Sequence, residues 1–142
     1  MILLDVNLLL YAHNAGAPQH RGAAPWLRAM LTGAGTVAFS WQTILGFLRL
    51  ATAPKLFARP LELDEAIGIV AVWLARDNVV IVDPAERHWR ILSDLLPKSQ
   101  VRGPLIMDAH LAALAIEHGA TLCTNDRDFL RFPGLKVEFP LQ

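Results

Sequence analysis

Cysteine is nearly missing from this chain of 142 residues, and the lone Cys123 excludes an internal disulfide framework. Flanked by Leu122 and Thr124, it reads as a small core hydrophobe of a protein kept in a reducing cytoplasm. Long apolar runs are missing too. None approaches the roughly 18 residues needed to span a bilayer, and the first residues show neither the basic stretch nor the small-residue cleavage site of a secretory signal. Net charge is also absent. The 13 basic and 13 acidic residues cancel, so there is no global electrostatic footprint for nucleic acid, although a local patch can still meet phosphates. Arg21, Arg28, Arg49, Lys55 and Arg59 lie in the first half and Arg127 and Arg131 near the end; taken singly, each fits a solvated helix face. Neither GxGxxG nor GxxxxGKS/T occurs, which removes the glycine-rich nucleotide loops. His13, His20, His88, His110 and His118 form no HxxxH or HExxH pattern, which argues against a zinc helix.

What is present is a hydrophobic fraction of 54% against 18% charged residues, the balance of one folded domain over residues 1–142. The stretch Ile2-Leu3-Leu4-Asp5-Val6 organises it. A short continuous apolar run predicts a strand buried on both faces, as at the centre of a parallel sheet. A helical pattern then starts, from Leu8 to Ala15, so Asp5 falls at the C-terminal edge of the strand. In open α/β sheets ligands bind in the crevice outside those edges.

Along the chain, a second helix is predicted from Gln19 to Leu31, kinked or broken at Pro25. Thr36 to Ser40 predicts the second strand, with Ser40 as N-cap of a helix whose buried stripe is Trp41, Ile44, Leu45 and Leu48. Leu61 to Asp77 is helical, with Leu63, Ile67, Val70 and Leu74 facing inward. The extra apolar surface of Ile69, Val72 and Trp73 suits either a dimer contact or a second layer of packing. Val79 to Val82 is the third strand. A helix follows from Pro84 and Glu86 to about Leu96, then a polar loop from Pro97 to Gly103. Pro104 opens the next helix and Gly119 caps it; Ala120 to Thr124 is the fourth strand, Asp126 to Phe132 a helical turn, and Leu135 to Phe139 a last short strand. The alternation predicts a three-layer α/β/α fold around a parallel sheet of four to five strands.

Two further places bring acids to the same edge. Asp108 lies in the opening turn of the Pro104 helix, where the helix dipole favours a carboxylate, on a face shared with Leu111, Ala112 and Ala115. Thr124-Asn125-Asp126-Arg127-Asp128-Phe129 follows the fourth strand as Asp5 follows the first. Topology therefore lets Asp5, Asp108 and Asp126 converge, with Asp128 nearby. Each acid alone also has a plain structural use, as a helix cap or the start of a turn. Together they are costly: two unit charges about 4 Å apart repel by about 4 kcal/mol at an effective dielectric near 20. Either some of them bind protons or a cation sits between them, and an all-oxygen aspartate set suits Mg²⁺ or Mn²⁺.

The blocks Ile2-Leu3-Leu4-Asp5-Val6-Asn7, Asp108-Ala109-His110-Leu111-Ala112-Ala113-Leu114-Ala115 and Thr124-Asn125-Asp126-Arg127-Asp128-Phe129 resemble the three signature blocks of PIN-domain ribonucleases, especially the VapC toxins of bacterial toxin–antitoxin pairs. The resemblance runs from Met1 to about Pro133. It implies a single PIN-like domain with a twisted parallel sheet, and a Mg²⁺ or Mn²⁺ site at which activated water cleaves RNA to a 5′-phosphate and a 3′-hydroxyl. It also implies a tRNA or ribosomal RNA target, a homodimer and a VapB-type antitoxin whose C-terminal tail blocks the groove. By the same matching, Asp5, Asp108 and Asp126 are the metal-binding catalytic acids, Asp128 an accessory acid, and Asn7 and Thr124 polar supports. Arg49, His20 and Arg21 are candidates for touching RNA or antitoxin, with solvated surface as their alternative. One position departs from the pattern: Gly46 stands where the family carries a Glu, on a helix flank shared with Gln42 and Arg49. Asp128 or an extra water then makes up the missing oxygen. Two other readings compete: a PIN fold that binds RNA or protein without cutting, and a haloacid-dehalogenase-type phosphatase. The second is disfavoured because Asn7 stands where that chemistry needs a second acid.

Overall fold

The computed structural model describes residues 1–142. In chain order the elements are β1 (Ile2–Leu4), α1 (Val6–Ala12), α2 (His20–Thr32), β2 (Val37–Phe39), α3 (Trp41–Ala51), α4 (Leu63–Leu74), β3 (Val79–Ile81), α5 (His88–Ser99), α6 (Leu105–His118), β4 (Thr121–Cys123), a 3-10 turn (Arg127–Arg131) and β5 (Val137–Glu138). The five strands form one sheet in the order β3-β2-β1-β4-β5, and every pairing is parallel. β1 is the central strand, as its apolar run predicts. Ile2 pairs with both Val37 and Thr121, and Leu4 with Cys123.

The strands alternate their faces with period two. Leu4, Val37, Phe39 and Cys123 join the core under α1 to α4, with Leu8, Leu27, Phe47 and Trp73. Leu3, Ala38 and Leu122 join the core under α5 and α6, with Leu95, Leu111 and Leu114. Helices therefore cover both faces, the expected three layers. From β1 the chain winds outward to β2 and β3, then crosses to the other side of β1 for β4 and β5. The crevice between β1 and β4 is thus the switch point of the sheet.

Several local expectations are corrected. The first helix begins at Val6, not Leu8, because the Asp5 side chain accepts the Val6 amide at 2.7 Å and starts the turn there. Pro25 neither breaks nor ends α2. It lies on the exposed face, so the Arg21 carbonyl that it leaves unbonded faces water. α5 likewise continues through Pro97 to Ser99 and ends at Gln100 in a left-handed conformation (φ 54°), so the polar loop is shorter than expected. α3 and α4 are helices as expected, and Ile44 and Val70 are buried as expected, but most of the remaining stripe residues are not. On α3, Thr43, Ile44, Phe47 and Ala51 are buried, whereas Trp41 is 49% and Leu45 60% exposed. On α4, Ala66, Val70 and Trp73 are buried while Leu63, Ile67 and Leu74 are exposed. Both helices are apolar on more than one side, so two stripes with helical spacing coexist in each and periodicity cannot choose between them. Ser40 caps α3 as predicted, accepting the Thr43 amide at 3.1 Å, and Gly119 ends α6 at φ 66°. No helix is long and apolar enough to cross a membrane.

Candidate active site

The site is built at the C-terminal edge of β1 and β4. Asp5 follows β1 directly, and its amide donates to Cys123 O at 3.0 Å, so the ends of the two strands are held together. The Asp5 carboxylate is buried and well held. Oδ1 accepts from the Val6 amide at 2.7 Å; Oδ2 accepts from Thr124 Oγ1 at 2.7 Å and from Asn7 Nδ2 at 3.0 Å. Thr124 is fully buried and uses its whole hydroxyl. It donates to Asp5 and accepts from the Asp126 amide at 3.0 Å and from Asn7 Nδ2 at 3.3 Å. Asn7 Oδ1 in turn accepts the Asn125 amide at 3.2 Å. Asn7 and Thr124, expected as supports, thus fix the loop after β4 onto the start of α1.

Asp126 caps the 3-10 turn, its Oδ1 accepting the Asp128 amide at 2.9 Å. Asp128 lies on the outer side, where Arg131 Nη2 is 3.8 Å from its Oδ1. Asp108 enters from the first turn of α6, half-buried, and no donor bonds its carboxylate. Asp5 and Asp126 therefore do serve as caps, at the sheet edge that Asp108 also approaches.

Electrostatics ties Asp108 to the other three acids, and Asp5 to Asp126. Burial pushes the Asp108 carboxyl up to about 6, aided by Asp5, Asp126 and Asp128 and opposed only by Arg131. Asp5 is also raised. Burial is the main cause and Asp126 adds to it, against the lowering effect of Thr124, Val6 and Asn7. As the side chains lie, no three acidic, histidine or cysteine groups close around a single point as a finished metal cage. The donor set nevertheless fits a hard cation. Both oxygens of Asp108, Oδ2 of Asp126 and one lone pair of Asp5 Oδ1 remain free. Cys123, by contrast, points to no redox or metal role: its thiol is buried and pushed up to about 12.

The basic candidates make no hydrogen bond or ion pair with the acids. Arg49 is exposed in the last turn of α3, about 13 Å along the helix axis from the Ser40 cap. His20 Nδ1 donates to Tyr11 O at 2.9 Å, tying α2 to the end of α1, and Arg21 is exposed beside it. Arg131 was not singled out from the sequence as a neighbour of the acids, although its spacing of three from Asp128 was a signal. Gly46 faces α1: a Cβ there would meet Val6 Cγ2 at 3.4 Å, an ordinary contact, so packing does not demand glycine. Gln42, on the same flank, donates from Nε2 to Met107 O at 3.4 Å while its Oε1 is buried without a partner.

The PIN domain family profile matches residues 2–135. Among curated proteins, the chain is 44% identical over 140 residues to Ribonuclease VapC37 of Mycobacterium tuberculosis, covering 99% of this chain and 97% of the relative. Its fold matches VapBC2 from Rickettsia felis bound to a promoter DNA fragment, with TM-score 0.69 and 22% identity over 97% of this chain and 98% of the other. It also matches Mycobacterium tuberculosis VapC20, described as a sarcin-ricin loop cleaving toxin, with TM-score 0.66 and 18% identity over 96% and 99% of the two chains.

Proposed function

This chain belongs to the PIN domain family, in its group of VapC ribonucleases, and from that premise we propose that it is a metal-dependent endoribonuclease toxin restrained by a VapB-type antitoxin. The observation that carries the proposal is the convergence of Asp5, Asp108, Asp126 and Asp128 at the switch point of the sheet, with Asp108 raised to about 6 by burial and by the other three. Asp5, Asp108 and Asp126 would hold Mg²⁺ or Mn²⁺ there, and the cation would supply a water of lowered pKa and offset the charge that develops on a phosphodiester. The chain's own part is to hold the oxygens in place. Thr124 and Asn7 orient Asp5, the Asp128 amide orients Asp126, and the α6 N-terminus favours ionised Asp108.

RNA is the substrate, with a tRNA or a ribosomal RNA loop as target; VapC20, with the same fold, is described as cleaving such a loop. The VapBC2 structure supports a VapB-type partner. The assembly is a homodimer in the cytoplasm, and the exposed Trp41, Leu45, Ile106 and Met107 offer an apolar surface for the second copy. Arg49, His20 and Arg21 contact RNA or antitoxin.

A second reading, a PIN fold that binds without cutting, is favoured by Gly46, which gives the site no side-chain oxygen although a Cβ there would make only an ordinary contact with Val6. Cleavage of total cellular RNA by antitoxin-free protein with Mg²⁺, Mn²⁺ or EDTA separates the two. Cleavage that EDTA stops and that Asp5→Ala and Asp108→Ala both lose is the expected result. Folded wild-type protein that cuts with neither metal would establish the binding reading instead.

A further inference from the structure

Arg127 stands between Asp126 and Asp128 in the chain, yet its guanidinium pairs with neither carboxylate. Two neutral groups hold it instead. Nη1 donates to Gln142 Oε1 at 2.9 Å, and Cζ lies 5.0 Å from the centroid of the Phe139 ring. Arg131, by comparison, faces Asp128 at 3.8 Å, and that carboxylate offsets its charge. Arg127 is therefore oriented without being neutralised, and it is exposed. The rest of its N–H fork is free, in the planar geometry that matches a phosphate.

The strands fix where this cation sits. β5 runs parallel to β4, with Cys123 opposite Glu138, so Thr124 and Phe139 leave the sheet at the same edge. Gln142 joins the two exits: Nε2 donates to Asn125 O at 3.1 Å and to Asn125 Oδ1 at 3.0 Å. The Asn125 amide in turn donates to Asn7 Oδ1, and Asn7 Nδ2 donates to Asp5 Oδ2. Leu141, next to Gln142, packs on the core, and a Cβ at Gly22 of α2 would meet its Cδ2 at 3.5 Å. The segment from Phe139 to Gln142 is thus anchored along its length. It keeps Arg127 on the β5 side of the edge where Asp5 and Asp126 lie.

An RNA strand that reaches this edge brings phosphates toward carboxylates, which repel them. A cation at the same edge that is not spent on those carboxylates offsets the repulsion and fixes the strand. We propose that Arg127 binds a backbone phosphate of the substrate RNA, held ready for it by Phe139 and Gln142. The proposal rests on the ribonuclease reading given above and adds a substrate contact to it. Gln142 is a positioning residue in this arrangement, because it acts through Arg127.

Fluorescence anisotropy of a labelled single-stranded RNA of mixed sequence, titrated with the full chain in EDTA at several salt concentrations, tests this. Losing one phosphate contact makes the slope of log affinity against log salt shallower by about 0.7, which is about 5-fold in affinity near 0.1 M salt. Arg127→Gln should show both changes. Arg127→Lys keeps the charge and should keep the slope. Gln142→Ala leaves the charge but frees the side chain, so it should weaken binding at the wild-type slope. Arg76→Gln makes the same charge change just ahead of β3, at the opposite edge of the sheet, and should behave as wild type. Melting in EDTA checks that each variant is folded. If Arg127→Gln matches Arg76→Gln, the proposal is overturned and the ribonuclease reading stands. Wild-type affinity in Gln142→Ala would overturn the role given to Gln142. Wild-type chain that binds no RNA would overturn the proposal, and absence of RNA cleavage with both Mg²⁺ and Mn²⁺ would overturn the reading beneath it.

Discussion

Thr124 Oγ1 donates to Asp5 Oδ2 at 2.7 Å, joining the ends of the two strands that flank the switch point. The bond is buried and its acceptor is a carboxylate, the kind of hydrogen bond that contributes about 1.5–3 kcal/mol. Thr124→Val keeps the shape and removes the hydroxyl, so it should lower unfolding stability by about 2 kcal/mol in urea. It also removes one of the influences that hold the Asp5 carboxyl down, and RNA cleavage should fall with it. Unchanged stability and cleavage would show that the bond is dispensable.

Asp108 makes the opposite kind of contribution. Its carboxyl is raised from 3.8 to about 6. A raised carboxylate has its full stability below its unfolded pKa and loses it as pH rises through the folded value, so metal-free protein should weaken between about pH 4 and pH 6. Asp108→Asn removes that loss. Because the group is about half exposed, solvent screening reduces the effect, and the variant should be more stable than wild type at pH 8 in EDTA by about 1 kcal/mol. The gap should close near pH 4 and cleavage should be lost. Thermal melts at the two pH values check the sign.

Glu117 is a buried support under α5. Its Oε1 accepts the Ala85 amide and its Oε2 the Arg87 amide, both at 2.9 Å. Burial by itself would raise its carboxyl, but the two amides, with His88 and His118, carry it below the ordinary 4.5. A lowered carboxylate contributes stability that is complete above 4.5 and fades as pH falls through the lower folded value. Glu117→Gln leaves one amide without an acceptor and should cost about 1–3 kcal/mol at pH 7. That difference should hold to about pH 5 and narrow below pH 4, as followed by urea unfolding.

Leu45 is 60% exposed on α3, so it adds little to the fold of one chain. Leu45→Glu should leave the melting temperature of dilute protein nearly unchanged and disrupt the proposed homodimer, read as a loss of dimer mass in light scattering. A dimer that persists at wild-type strength would place the contact elsewhere.

How much of this was legible in the residues depended on how many alternatives each pattern allowed. Ile2 to Leu4 could only be a central strand, since nothing in it tolerates water on either face. Ser40 and Gly119 each have a single good use at a helix end, and both were found there. The acids were legible because each follows a strand or opens a helix, and the parallel topology does the rest. The phases of α3 and α4 were not legible. The expected Trp41, Ile44, Leu45 and Leu48 and the buried Thr43, Ile44, Phe47 and Ala51 share Ile44 and both keep helical spacing, and only tertiary packing decides which set lies inside. Pro25 misled because its cost depends on whether the freed carbonyl meets water, which is a property of the helix face. Gln42 and Glu117 were hidden for a further reason. Their partners Met107 and Arg87 are 65 and 30 residues away, and no local pattern announces where an amide or a carboxylate will point.

The pairing of β1 with β4 has a consequence during synthesis. Asp5 leaves the ribosome 119 residues before Thr124, and Asp126 follows after that. A partly made chain therefore carries Asp5 without the partner that orients it and without the acids that complete the set. The acidic set is complete only once the segment around β4 is threaded beside β1, so a product that stops short of Thr124 carries Asp5 without the partners that hold it.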